Sequence, residues 1–205
     1  MIPDADDFAR REAARPSRAA RLIAGALTPA NVITGLLVFV AWRHTPDGYH
    51  AAAWTVLTIA LVVALPYLIL FRALRLGRAD DRQVVRRSQR PALMVAALGC
   101  VVGALAALTY LGAPQELVAL VVAMAGGLAA MTLITLRSKA SMHMAVAAGA
   151  VAIAILETPA GWLTLLLLPP IAWARWRDGR HSPGQLATGA LVGALAAASI
   201  YAALA

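Results

Sequence analysis

Long apolar stretches recur along this chain, separated by short polar ones, and nothing else in it constrains the fold as tightly. They occupy residues 22–43, 51–71, 91–113, 115–136, 140–157, 160–174 and 184–205. About 20 apolar residues in a helix cross a hydrocarbon layer. Inside lipid no water is present to bond the backbone, so each stretch must satisfy its own N–H and C=O groups. A hydrophobic content of 61% and a mean hydropathy of +0.74 also exceed what a water-soluble chain of this size carries. The expected fold class is therefore all-α, a polytopic transmembrane helical bundle of six to seven spans. The sixth stretch is the shortest and contains Pro169-Pro170, which predicts a kinked or tilted helix propped by its neighbours.

Residues 1–21 alternate acidic and basic side chains with no apolar core before a cleavage site, which predicts a solvated amphipathic segment rather than a signal peptide. Residues 22–205 then form a single membrane domain. Cys100 is the only cysteine, so one chain can build neither a disulfide framework nor a cysteine metal site, and no metal or cofactor is expected. Met142 and Met144 flank His143 but do not face one point, so they are read as core filling rather than copper ligands. Gly189 and Gly193 form a GxxxG pair that suits close helix packing, within the chain in preference to a homo-oligomer.

The net charge of +8 is distributed in a way that indicates a membrane rather than nucleic acid. Arg10, Arg11, Arg15, Arg18 and Arg21 precede the first span, and Arg72, Arg75, Arg78, Arg82, Arg86, Arg87 and Arg90 follow the second. Arg137 and Lys139 follow the fourth, and Arg175, Arg177 and Arg180 follow the sixth. With seven spans these segments share one side, which then holds 17 of the 18 cations, leaving Arg43 alone at the other. The positive-inside rule makes the amino terminus and the basic loops cytoplasmic and the carboxyl terminus external, as in a multi-pass protein of the plasma (inner) membrane.

Three internal basic segments on that side carry candidate chemistry. In "RADDRQVVRRSQRP", Arg82, Arg86 and Arg90 recur every fourth residue and share a face if helical; a snorkelling anchor for anionic head groups is the plainer reading. In "RSKASMHMAV", Lys139 and His143 are four apart, with Ser141 between them where a helix begins, and a helix start favours an anion. The plainer reading makes Ser141 a helix cap and His143 an interfacial residue. In "WARWRDGRHSPGQ", His181 stands among Arg175, Arg177 and Arg180, just before a helix expected to start near Pro183. Such neighbours keep a histidine neutral and nucleophilic and supply forked donors for phosphate oxygens.

The pair "KASMH" and "ARWRDGRHSPGQ", two spans apart, resembles the second and third signatures of the type 2 phosphatidic acid phosphatase superfamily. The second signature there is Pro-Ser-Gly-His, and Ala140, Ser141, Met142 and His143 stand in its places. The third is Ser-Arg, five residues, His, three residues, Asp, matched by Ala174-Arg175, His181 and Gln185. The first is Lys, six residues, Arg-Pro, matched by Arg90-Pro91, with Gln83 at the lysine position and Arg82 beside it. The resemblance covers residues from about 72 to the end.

It implies a lipid-phosphate phosphatase acting through a phosphohistidine. His181 is the implied nucleophile and His143 the implied acid and base, while Arg175, Ser141, Lys139, Arg90 and Arg82 hold phosphate oxygens. Gln185 takes the place of the aspartate that orients the nucleophile, which implies a weaker nucleophile or Asp178 as a substitute partner. The implied substrate is a phosphomonoester or diphosphate of a lipid, an isoprenoid phosphate before phosphatidate. One alternative is a catalytically silent protein that binds or transports such lipids. Another is a Mg-dependent prenyl-diphosphate enzyme using Asp80-Asp81, a pair with too few carboxylates for that chemistry.

Overall fold

The computed structural model describes residues 17–76, 90–179 and 181–205, the side chains of Arg90 and Pro91 excepted. The described residues are helical almost throughout. In chain order they form α1 (Arg18–Ala26), α2 (Pro29–Arg43), α3 (Gly48–Thr58), a π-helical turn (Ile59–Ala64), α4 (Leu65–Arg75), α5 (Arg90–Tyr110), α6 (Gln115–Arg137), α7 (Met142–Glu157), a 3-10 segment (Pro159–Leu167), α8 (Leu168–Arg177) and α9 (Pro183–Leu204). Among the described residues four helices are long and apolar enough to cross a membrane: Gly48–Arg75, Ala92–Tyr110, Gln115–Arg137 and Pro183–Leu204. A fifth span is formed if α1 and α2, which meet at a 41° bend, are taken together. The described residues thus form an all-helical bundle that contains candidate membrane-spanning helices.

Proline explains both departures from α geometry. Pro66 has no N–H to give the carbonyl a turn before it, and the π-helical turn Ile59–Ala64 lies directly upstream. Pro169 and Pro170 likewise sit in the first turn of α8, where a missing N–H costs little, and the residues before them run as a 3-10 helix instead. The expected disturbance of the sixth stretch is therefore a change of helix type. Gly161 lets this segment lie against α7, because a Cβ there would stand 2.0 Å from the Ala154 carbonyl oxygen.

The tightest packing is between α7 and α9. A Cβ on Gly189 would lie 2.4 Å from the Ser141 carbonyl oxygen, and one on Gly193 would lie 1.9 Å from that of Ala145. The GxxxG pair thus seats α9 on the first turns of α7 within the chain. The principal core lies farther along, where Leu37 and Val40 of α2, Leu108 of α5, Leu117 and Leu120 of α6, and Ile153 of α7 are buried together. Aromatic residues remain exposed towards the two ends: Trp42, Tyr49, Tyr110 and Trp162 at one, and Trp173 and Trp176 at the other. Amphipathic rings at two levels are what a bilayer's two interfaces select.

Candidate functional site

At the end of the bundle where α7 and α9 begin, the two histidine-bearing segments meet. The Ser141 N–H donates to the Gln185 carbonyl at 3.1 Å, a backbone bond between residues 44 positions apart. Ser141 is fully buried and is the N-cap of α7, its hydroxyl accepting from the Met144 N–H at 3.5 Å. The cap reading of Ser141 thus holds, and its backbone also ties the two segments together. His143 stands half-buried on the first turn of α7, and Lys139 lies exposed just before it. Met142 packs with Met131, Ala140 and Ala145, whereas Met144 packs with Ile171 and Leu186, so the two thioethers face different neighbours.

Ser182 is the N-cap of α9 and forms a reciprocal capping box with Gln185. The Ser182 hydroxyl accepts from the Gln185 N–H, and the Gln185 side-chain carbonyl accepts from the Ser182 N–H, both at 3.3 Å. Gln185, read from sequence as an orienting residue, therefore has its side-chain oxygen engaged at the helix start. The signal was present, since Ser-Pro-Gly-Gln is a capping-box pattern with proline at the first helical position. His181 is half-buried immediately before this cap.

Arg175 lies on the last turn of α8 and is only 3% exposed, unusual for a guanidinium. Its Nη1 donates to Asp178 Oδ2 at 3.1 Å. Asp178 thus partners the arginine. Gly179, at φ +64°, turns the chain towards His181 in a left-handed conformation that favours glycine. Arg90 opens α5, and Met94 one turn later joins the cluster around Met131 and Ala140, which brings the start of α5 to the same end. Arg82 and Arg86, the Asp80-Asp81 pair, Arg180 and residues 1–16 lie outside the described residues.

The starts of α5, α7 and α9 therefore converge with a buried arginine. The positive ends of the helix dipoles make such an arrangement favourable for an anion. Arg72 and Arg75, on the last turn of α4, are exposed, with Arg75 4.3 Å over the ring of Phe71.

The opposite end holds a second polar cluster that sequence reasoning did not find. The Glu157 carboxylate is only 6% exposed and accepts from Arg43 Nε at 3.0 Å, from His44 Nε2 at 2.7 Å and from the Tyr201 hydroxyl. His44 Nδ1 also faces Glu116 Oε1 at 3.3 Å. Gln115 Nε2 donates to the Leu204 carbonyl at 2.7 Å. The ends of α2, α7 and α9 and the start of α6 are joined there. Arg43, the one cation at odds with the charge asymmetry, is placed by this pairing. The isolated Glu157 at the end of an apolar run was the available signal.

Nearby, Asp47 caps α3. The His50 N–H, first, and the His50 ring hold its exposed carboxyl below the ordinary carboxylate range. Among the described residues no three His, Cys, Asp or Glu side chains are grouped to hold a metal. No protein-family model, curated protein or solved structure matches the chain.

Proposed function

We propose that this chain is an integral membrane lipid-phosphate phosphatase that hydrolyses a phosphomonoester or diphosphate of a lipid, an isoprenoid phosphate in preference to phosphatidate. The observation that carries this reading is the Ser141–Gln185 backbone bond, which joins the two resembled segments at one end of the bundle beside a buried arginine. That bond holds the backbones of the two histidine-bearing segments at one set of helix starts, which supports the reading. In the proposed reaction the His181 imidazole attacks phosphorus as the bond to the lipid oxygen breaks. His143 protonates the departing alkoxide, and the same residue then takes a proton from water as that water displaces the phosphohistidine. Arg175, Lys139, Arg90 and Arg82 balance charge on the phosphoryl oxygens, and the helix start at Ser141 adds its dipole.

The proposed topology has seven crossings, with the amino terminus and the site on the cytoplasmic face of the plasma membrane. The arginine asymmetry supports the orientation. The number of crossings is supported by lengths. At about 2.0 Å per 3-10 residue and 1.5 Å per α residue, Pro159–Leu167 and α8 together reach roughly 33 Å. That matches a hydrocarbon core of about 30 Å. α7, with 16 residues, reaches roughly 24 Å and crosses with modest thinning or snorkelling at its ends.

A second reading is a catalytically weak protein that binds or transports the same lipids. Two observations favour it: the Gln185 side chain is engaged in a capping box, and Arg175 is paired with Asp178. The purified protein in detergent, given a polyprenyl phosphate, decides between them. Under the phosphatase reading wild type releases phosphate through an acid-labile phosphoenzyme, and His181→Ala lowers release by roughly a thousandfold or more. Equal release from both proteins sinks the mechanism. No phosphoenzyme, with lipid-phosphate binding that Arg175→Ala abolishes, selects the second reading.

A further inference from the structure

An apolar cavity of about 240 Å³ lies inside the bundle, walled by α2, α5, α6, α7, α9 and the stretch around the π-helical turn. Its lining runs from Met131 and Met142, at the end of α7 that carries His143, to Ile153 near the other end of α7. At 1.5 Å per residue that run of α7 measures roughly 16 Å. The cavity is thus elongated, and it begins one residue from the proposed acid and base.

Two glycines in its wall differ in what keeps them glycine. A Cβ on Gly149 would come within 3.1 Å of the Gly193 carbonyl oxygen, so helix packing accounts for it. A Cβ on Gly127 would meet nothing within 4 Å. The missing side chain there leaves volume to the cavity. The π-helical turn adds to this, because Val62 lies in it and lines the wall. Interiors are otherwise close-packed, and an apolar void takes up apolar matter. By comparison with an apolar cavity of about 150 Å³ that accepts one benzene, this one holds on the order of ten carbons. It has room for one chain and not for two acyl chains side by side.

We propose that the cavity receives the single hydrocarbon tail of the lipid whose phosphate binds at the basic end, and that Gly127 sets how much tail it accepts. This inference rests on the phosphate-site reading and extends it to selection of single-tailed phosphates over diacyl ones.

The test compares wild type, Gly127→Ala and Gly127→Leu in detergent, with butyl, decyl and diacylglycerol phosphates as substrates. A second arm uses a photoreactive decyl alcohol, which carries no phosphate, and maps the labelled peptides. In wild type kcat/KM is higher on decyl than on butyl phosphate, and diacylglycerol phosphate falls below decyl phosphate. Gly127→Leu, whose side chain enters the cavity, loses tenfold or more on decyl phosphate and nothing on butyl phosphate. Gly127→Ala loses less.

Equal losses on both alkyl phosphates, or none, overturn the tail site while leaving the phosphatase reading intact. If no substrate releases phosphate, that reading fails, and the labelling arm decides the cavity alone. Labelling of the Met131 and Met142 peptides that Gly127→Leu abolishes supports the site. Labelling confined to a separate pocket of about 380 Å³, lined by Phe39, Thr164 and Ile171, overturns it.

Discussion

At one end of the bundle Glu157 gathers Arg43, His44 and Tyr201 around a buried carboxylate, with Glu116 beside them. At the other end Arg175 and Asp178 form one ion pair, within a region where Lys139, Arg137 and Arg177 add positive charge. Of the described carboxylates, Asp47, Glu116 and Glu157 are at the first end and Asp178 is at the second. The starts of α5, α7 and α9 also point to the second end, so their dipoles add to its cations. The first end neutralises itself across four helices and holds them together. The second carries an excess of positive charge over negative among its described residues, which an anion completes. One end is therefore built for cohesion, and the other carries the positive charge on which the proposed phosphate site rests.

The contrast can be broken by substitutions that should separate stability from activity. His181→Ala, as proposed, removes phosphate release and leaves the thermal unfolding midpoint unchanged. Glu157→Ala should do the reverse. Removing a buried carboxylate strands the Tyr201 hydroxyl and His44, at about 2–3 kcal/mol after discounting the half-exposed Arg43. Unfolding in detergent should then occur several degrees lower while the folded enzyme keeps its turnover. Loss of activity without loss of stability in Glu157→Ala would erase the distinction between the ends.

A smaller effect sharpens the recognition end. Gln185→Asp exchanges a capping carbonyl for a carboxylate in the first turn of α9, which the helix dipole tolerates. With a carboxylate available to steady the imidazolium, phosphate release should rise about tenfold with the unfolding midpoint nearly constant, compared with a loss of about four orders of magnitude when such a carboxylate is removed from a serine protease. No rise counts against an orienting role for this position and favours the silent lipid-binding reading.

The smallest effect concerns Asp47. Its carboxyl titrates below the ordinary value in the folded protein, so its contribution is complete above about pH 4 and is lost as pH falls through the lower, folded value. The stability difference between wild type and Asp47→Asn should therefore shrink on acidification. A difference that grows instead would mean that the His50 contacts do not favour the charged form.

Much of the architecture was legible because lipid enforces it locally. The seven apolar stretches correspond to helical segments, and the helix starts at Ser141 and near Pro183 follow from capping and proline chemistry. The disturbed sixth stretch was legible as well, though not that it changes helix type. The capping box at Gln185 was legible from Ser182 three residues earlier, while the resemblance pointed to what an aspartate does at that position. Arg43 was an unexplained exception for want of knowledge of Glu157, 114 residues away.

The sequence by itself determined that the chain is helical, with stretches apolar enough to cross a membrane, and where charge accumulates, because burying a backbone in hydrocarbon leaves almost no other solution. Only the tertiary structure decided which faces meet. A spanning helix is apolar on its lipid face and its packed face alike, so hydropathy does not distinguish them, and small residues do. Gly189 and Gly193 let α9 approach α7 closely enough for Ser141 to reach Gln185, and the cavity beside Gly127 exists where no side chain fills the gap.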